Sequence, residues 1–163
     1  MDIAIVYYSY SGNTHRAAKV VEEVLKSQNN AVRRLRIEAP SESNNFFVQA
    51  LRGLAKKKTE INPIETDLSG YDLIIFATPV WAGKMVPAMR KFLEKAGALG
   101  GKKAIVFVTY GSGFGKEHCL HSLEAAIEKK GANCLGRFSL SQHKVNDRAP
   151  IEDLLKKFIN NKP

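Results

Sequence analysis

The chain has 163 residues and carries 25 Lys and Arg against 16 Asp and Glu, which gives a formal net charge of +9. Its content of apolar residues, 44%, and of charged residues, 25%, is average for a soluble globular protein. This composition excludes an intrinsically disordered, collagen-like or coiled-coil chain, and the length fits a single domain over residues 1–163.

Hydrophobic runs and helical spacing alternate along the chain. In chain order they predict a strand at Ile3–Tyr8, a helix from about Thr14 to Gln28, an exposed edge strand at 32–37, a short helix at Phe46–Leu54, a strand at Leu73–Ala77, a helix at Val86–Ala96, a strand at Ala104–Thr109, a helix at Leu120–Ile127, a weaker strand at Asn133–Leu140 and a helix at Ile151–Ile159. Continuous apolar strands are expected in a parallel sheet that helices cover on both faces. The predicted fold class is therefore α/β, with a doubly wound parallel sheet of about five strands.

The sequence has no apolar run long enough to span a bilayer and no recognisable signal peptide. We therefore expect a soluble, cytoplasmic protein without a membrane partner. The two cysteines, Cys119 and Cys134, are too few for a disulfide scaffold or a zinc site. His118 and His121 lie close to Cys119, but helical spacing turns the cysteine away from both imidazoles, so we predict no metal site.

Hydroxyl and small residues follow the first predicted strand and precede the first helix: Ser9, Tyr10, Ser11, Gly12, Asn13 and Thr14. Unpaired amides and the positive end of the helix dipole point into this turn, and the hydroxyls can add donors. Gly12 lets an anion approach the backbone. The loop has no Lys and matches neither a Walker A motif nor GxGxxG. We favour a phosphate site here over an ordinary turn capped by Asn13 or Thr14.

Two further strand ends should open on the same edge of the sheet. The third strand is followed by Thr78, Pro79, Val80, Trp81, Ala82 and Gly83, and the fourth leads into Thr109, Tyr110, Gly111, Ser112, Gly113 and Gly115. Trp81, the only tryptophan, suggests stacking on a flat ring, although packing of its loop onto its own domain is a serious alternative. The alternating glycines indicate positive φ or a close approach to the backbone. Together the three loops predict a pocket for a planar heteroaromatic ring with a phosphorylated side chain.

These loops resemble those of the flavodoxin family. The run Ser9-x-Ser11-Gly12-Asn13-Thr14 is similar to the family's phosphate-loop pattern, and Thr78–Gly83 and Thr109–Gly115 resemble its two flavin-flanking loops. The resemblance spans nearly the whole chain, and the length suits the short-chain type. It implies a flavodoxin-like sheet with strand order 2-1-3-4-5.

The same resemblance implies non-covalent FMN as the cofactor. Its phosphate would lie on Ser9–Thr14 and its ring between Trp81 and Tyr110. The amides of Ala82–Gly83 would lie near the flavin N5. The flavin, rather than a catalytic side chain, would carry the chemistry.

Two functions remain open at this point. A small electron carrier between protein partners is favoured, because the chain lacks the long insertion after the fourth strand that quinone reductases of this fold often carry. An NAD(P)H-dependent FMN or quinone oxidoreductase is the alternative. Carriers of the family are acidic, whereas this chain is basic, so Lys84 and Arg90 are expected to meet an acidic redox protein or the phosphates of NAD(P)H. The expected state is a monomer or a weak dimer.

The excess charge is regional. Residues 31–60 hold seven Lys or Arg against three Glu, and residues 84–103 hold six against one. We do not favour nucleic acid as a partner, because aromatic residues are not interleaved with the basic ones. A phospho-acceptor receiver domain is excluded, because Ser9 and Thr78 stand where it needs acidic residues.

Overall fold

The computed structural model describes residues 1–40 and 59–160. The strands of this part are β1 (Asp2–Tyr8), β2 (Ala31–Ile37), β3 (Leu73–Trp81), β4 (Lys84–Met85), β5 (Lys103–Tyr110) and β6 (Asn133–Ser141). The helices are α1 (Asn13–Ser27), α2 (Pro87–Lys95), α3 (Lys116–Glu128) and α4 (Arg148–Asn160). The short helix predicted at Phe46–Leu54 lies outside the described residues.

Five strands form one parallel sheet in the order β2-β1-β3-β5-β6. Counted in chain order, these parallel strands run 2-1-3-4-5, which confirms the predicted topology. The sixth strand, β4, was not predicted. It pairs antiparallel with the end of β3, where Val80 lies opposite Met85 and Trp81 opposite Lys84.

Both faces of the sheet are covered, as the apolar strands predict. On one face, Val6 and Phe76 of the sheet share a core with Phe92 of α2 and Leu123 of α3. On the other, the core holds residues of β1, β3 and β5 together with residues of α1 and α4, such as Val21 and Leu155. The sheet is therefore doubly wound, and the carboxyl ends of its strands form a free edge where loops meet.

The third strand is longer than predicted. We expected it to end at Ala77, with Trp81 in a loop, but β3 continues to Trp81. The register explains the difference: Thr78 and Pro79 still lie opposite residues of β5, and Val80 and Trp81 then pair with β4. Trp81 is thus fixed in a β-hairpin.

The first helix begins one residue earlier than predicted and is capped differently. Its N-cap is Gly12, with φ at +86° and no capping bond from a side chain. The alternative of a turn capped by Asn13 or Thr14 is therefore not what the structure shows. A glycine suits this position, because other residues rarely adopt a positive φ.

Candidate functional site

A half-open cavity of about 280 Å³ lies at the carboxyl edge of the sheet. All three loops singled out in the sequence contribute to its wall. The lining residues are Tyr10, Ser11, Asn13, Pro79, Val80, Trp81, Thr109, Tyr110, Gly111 and Gln142. The chain thus brings the predicted phosphate loop and both predicted ring loops to one place.

Backbone amides of the first loop are available at the start of α1. The first amides of a helix have no intrahelical acceptor, which applies to Asn13 and Thr14. The next amide, that of His15, donates to Ser9 Oγ over 3.1 Å. Nothing lies within 4 Å of the position that a Cβ on Gly12 would take, so the backbone here is open. This arrangement offers neutral donors and the positive end of the helix dipole to an anion.

The hydroxyl groups of this loop differ in their surroundings. Thr14 and Thr109 are buried, and their hydroxyl oxygens are hydrogen-bonded at 2.8 Å, which ties the first loop to the end of β5. Ser11 is exposed, and its Oγ accepts a hydrogen bond from the side-chain Nδ2 of Asn13 over 3.2 Å. Asn13 Oδ1 in turn accepts from the Arg16 guanidinium. The Thr14 hydroxyl thus stabilises the contact between the first loop and β5, whereas the Ser11 hydroxyl is accessible to a ligand.

Three aromatic side chains, those of Tyr10, Trp81 and Tyr110, line the cavity. Trp81 is contacted edge-on by Tyr8 and Tyr10, with ring centroids 6.0 Å and 5.8 Å away. Tyr110 carries the ammonium of Lys116 over its ring, 4.8 Å from the centroid. Trp81 therefore packs on its own domain and also lines the cavity, and its stacking on a flat ring stays a prediction.

The glycines of the second and third loops pack against each other. Ala82 and Gly83 form the two-residue turn between β3 and β4, with φ at +47° and +75°, as in a type I′ hairpin. A Cβ on Gly115 would lie 2.4 Å from Gly83 Cα. Neither of these glycines lines the cavity. Their contact instead holds the hairpin against the loop that starts α3.

Nine of the predicted residues lie in or beside the three loops without lining the cavity itself: Ser9, Gly12, Thr14, Thr78, Ala82, Gly83, Ser112, Gly113 and Gly115. Thr78 is buried, and its hydroxyl accepts a hydrogen bond from the amide of Val86, which joins β3 to the start of α2. The roles of these nine residues in binding a cofactor stay predictions.

Gln142 is the lining residue that the sequence analysis missed. It follows β6, and its amide donates to the carbonyl oxygen of Tyr110 over 2.8 Å. A Cβ on Gly111 would lie 3.7 Å from Gln142 Oε1. The signal was present, because the carboxyl end of the fifth parallel strand must open on the same edge as the others.

A tyrosine–histidine pair lies beside the first loop. Tyr7 Oη and His15 Nδ1 are 2.7 Å apart. Burial, together with the charges of Arg34 and Arg36, lowers the pKa of His15, and burial raises the pKa of Tyr7. The imidazole beside the first loop is therefore kept neutral at pH 7.

The remaining chemistry-bearing residues do not form a second centre in the described ranges. No group of three or more His, Cys, Asp or Glu residues could hold a metal ion there. Burial raises the pKa of the Cys119 thiol to about 12 and that of Cys134 to about 11. Among the same residues, no helix has the length and apolar character that crossing a bilayer requires.

The chain is similar to solved flavoproteins over nearly its whole length. A flavoprotein from Bacteroides uniformis superposes with a TM-score of 0.70 at 21% identity, covering 96% of this chain and 98% of that one. A flavodoxin from Megasphaera elsdenii gives 0.61 at 22% identity, covering 98% and 99%. A flavoprotein from Lactobacillus acidophilus, solved with FMN, gives 0.61 at 16% identity, covering 91% and 98%. These matches confirm the flavodoxin-like fold.

The sequence itself matches a family profile. The profile described as NADPH-dependent FMN reductase covers residues 1–146, which include every residue that lines the cavity. The expectation of an FMN-binding chain is thereby confirmed at the level of the family. The chain belongs to the NADPH-dependent FMN reductase family.

Proposed function

We propose that the protein is an FMN-dependent oxidoreductase that takes electrons from NADPH and passes them to a second acceptor. The observation that carries this proposal is the family match over residues 1–146, which spans the whole cavity. It favours the reductase, our initial alternative, over the electron carrier that the sequence first favoured. When bound, FMN accepts two electrons from a nicotinamide and releases them one or two at a time.

The first loop fits the phosphate of FMN. The amides of Asn13 and Thr14 and the dipole of α1 supply positive potential, and Gly12 leaves the backbone open. Residues 9–15 contain no Lys or Arg. The loop would therefore bind a dianion with neutral donors alone, because the lowered pKa of His15 leaves the imidazole beside it neutral as well.

The aromatic walls fit a flavin ring that is only partly enclosed. Trp81 is restrained by Tyr8 and Tyr10, and Tyr110 by Lys116, so both flat surfaces are held in place. The cavity, about 280 Å³, is at the small end of ligand pockets. One edge of the ring would stay accessible, as electron exchange with a second molecule requires.

Anaerobic mixing with NADPH tests this function directly. The FMN-loaded protein is mixed with NADPH, and the flavin absorbance is followed over time, with NADH as the matched donor and dithionite as the control for a reducible flavin. We expect NADPH to bleach the flavin, and steady-state NADPH oxidation to continue when a quinone is added. A flavin that dithionite reduces but neither nicotinamide reduces would contradict the reductase and favour the carrier.

A further inference from the structure

An exposed aromatic ring and two lysines lie on the hairpin and the loop that carry the cavity residues Trp81 and Tyr110. Phe114, in the loop between β5 and α3, is 82% exposed, more than any other large apolar residue in the described part of the chain. Lys84 lies opposite Trp81 in the β3–β4 hairpin, and Lys116 lies over Tyr110. Each aromatic wall of the cavity thus has a lysine beside it. We call Lys84, Phe114 and Lys116 the rim triad.

Backbone packing holds the rim triad together. Gly83 and Gly115 meet backbone to backbone, and each is followed directly by one lysine of the triad, while Phe114 precedes Gly115. The loop is also fastened from within, since the amide of Phe114 donates to Ser112 Oγ over 3.4 Å. The backbone that carries the exposed phenyl ring is therefore held in place by the hairpin and by a hydrogen bond within its own loop.

The surrounding edge is positively charged. The four segments that form the cavity, residues 8–16, 78–90, 109–116 and 140–146, contain five Lys or Arg and no Asp or Glu. The third and fourth segments are followed directly by the exposed Glu117 and Asp147, and at β2 the exposed Arg36 is followed by Glu38 just after the strand. These neighbours leave a net excess of positive charge around the cavity.

We propose that the rim triad is the docking surface for an acidic protein that exchanges electrons with the flavin. The inference rests on the proposed function, because the docked protein must reach the exposed edge of a bound FMN. A large aromatic residue with nearby cations is typical of the residues that dominate protein interfaces. A second copy of this chain would bring the same positive charge to the face, and a dinucleotide prefers a concave site, whereas Phe114 and Lys84 stand outside the cavity.

The electron balance of such a contact is simple. A fully reduced FMN would supply two electrons, so it would reduce two one-electron partners in successive encounters and release two protons to solvent. Each partner would be reduced by one electron and would then dissociate. Weak, salt-sensitive binding suits this exchange, since contacts of this kind are small and steered by charge.

The test measures binding of two probe proteins to both the apoprotein and the FMN-loaded protein. The probes are a plant-type [2Fe–2S] ferredoxin, which is acidic, and cytochrome c, which is basic. Binding is measured at about 0.01 M and about 0.5 M salt, where screening differs strongly. We expect the ferredoxin alone to bind at low salt, and both Lys84→Glu and Phe114→Ser to raise its Kd about tenfold. FMN affinity of Phe114→Ser should stay within about twofold of wild type, which separates docking from cofactor binding.

Lys103→Glu is the matched control, because it makes the same charge change at the opposite edge of the sheet, where β5 begins. An equal rise in Kd for Lys103→Glu and Lys84→Glu would overturn the proposal, as would a Phe114→Ser variant that binds ferredoxin like wild type. A dimer that Phe114→Ser dissociates in sedimentation would assign the face to a second copy instead. A higher KM for NADPH in Lys84→Glu, with ferredoxin binding unchanged, would assign the cation to the dinucleotide.

The two proposals fail separately in this design. A protein that NADPH does not reduce, but whose apoprotein and loaded forms both bind ferredoxin through the triad, contradicts the proposed function and supports the docking surface.

Discussion

Single glycines decide how the hairpin meets the loop that begins α3. A Cβ on Gly115 would lie 2.4 Å from Gly83 Cα, whereas a Cβ on Gly113 would lie 3.5 Å from Tyr110 Cε2, an ordinary contact. Both glycines have positive φ, at +70° and +81°. The two positions therefore share the same backbone strain and differ in the clash.

We expect Gly113→Ala to lower the free energy of unfolding by about 1 kcal/mol, because alanine is strained at positive φ. Gly115→Ala should lower it by about 3 kcal/mol, because the hairpin must also move away. Urea denaturation of the two variants measures the difference. Equal losses would contradict the close packing of the hairpin on this loop.

The Tyr7–His15 pair predicts a dependence of stability on pH. Burial and two arginines hold the pKa of His15 below 6.5 in the folded chain, so the unfolded chain binds more protons as the pH falls below about 6.5. The folded state therefore loses stability as the pH falls through this value. At higher pH His15 is neutral in both the folded and the unfolded chain, and this loss does not occur.

Replacing His15 by Gln should flatten this dependence. Urea denaturation between pH 7.5 and pH 5.5, a range of about two units around the histidine value, would show a smaller loss of stability for His15→Gln than for wild type. His118→Gln, at an exposed position in α3, controls for the removal of an imidazole. Parallel curves for wild type and His15→Gln would contradict the assignment.

At the scale of elements, the opening of α1 carries the proposed phosphate contact. Gly12 and Gly101 both have positive φ and both have open space where a Cβ would lie, but Gly101 is at the opposite edge of the sheet, just before β5. Valine at either position imposes similar backbone strain. The pair therefore separates strain from obstruction of the loop.

Gly12→Val should weaken FMN binding by at least about tenfold, because its side chain occupies the space over the amides of Asn13 and Thr14. Riboflavin, which has no phosphate, should be affected less. Gly101→Val should bind FMN as wild type does. Fluorescence titration measures all three affinities, and equal losses of FMN and riboflavin in Gly12→Val would argue against this loop.

The predictable part of the fold is the part that the hydrophobic pattern encodes. Buried strands such as β1 and β5, and helices with one apolar face such as α1, follow from residue spacing, and their order follows from the flavodoxin-like resemblance. The extension of β3 does not, because Pro79 argues against a strand and the partner β4 has only two residues.

The candidate site divides in the same way. The three loops could be placed at one edge, because parallel strands end there together. The contact between Gly83 and Gly115 joins residues 32 positions apart and is invisible to local patterns. Gln142 could have been inferred from the last strand end, but no unusual residue type marked it.

At the scale of the whole molecule, the sheet collects its chemistry and its charge at one edge. The ends of the strands form the cavity. The four segments around it contain Lys and Arg but no Asp or Glu. A reductase needs this edge to receive both a nicotinamide and an acceptor. The same edge is where the rim triad would bring an acidic partner within reach of the flavin.

The central claim is that the amides at the start of α1 hold the phosphate of FMN in this cavity. Titration of the apoprotein with FMN and with riboflavin, followed by flavin fluorescence, tests it most directly. Two charge-assisted hydrogen bonds are worth roughly 3 kcal/mol or more, so FMN should bind at least about 100-fold more tightly than riboflavin and lose its fluorescence. Equal affinities for the two flavins, or fluorescence that stays unquenched, would contradict the account.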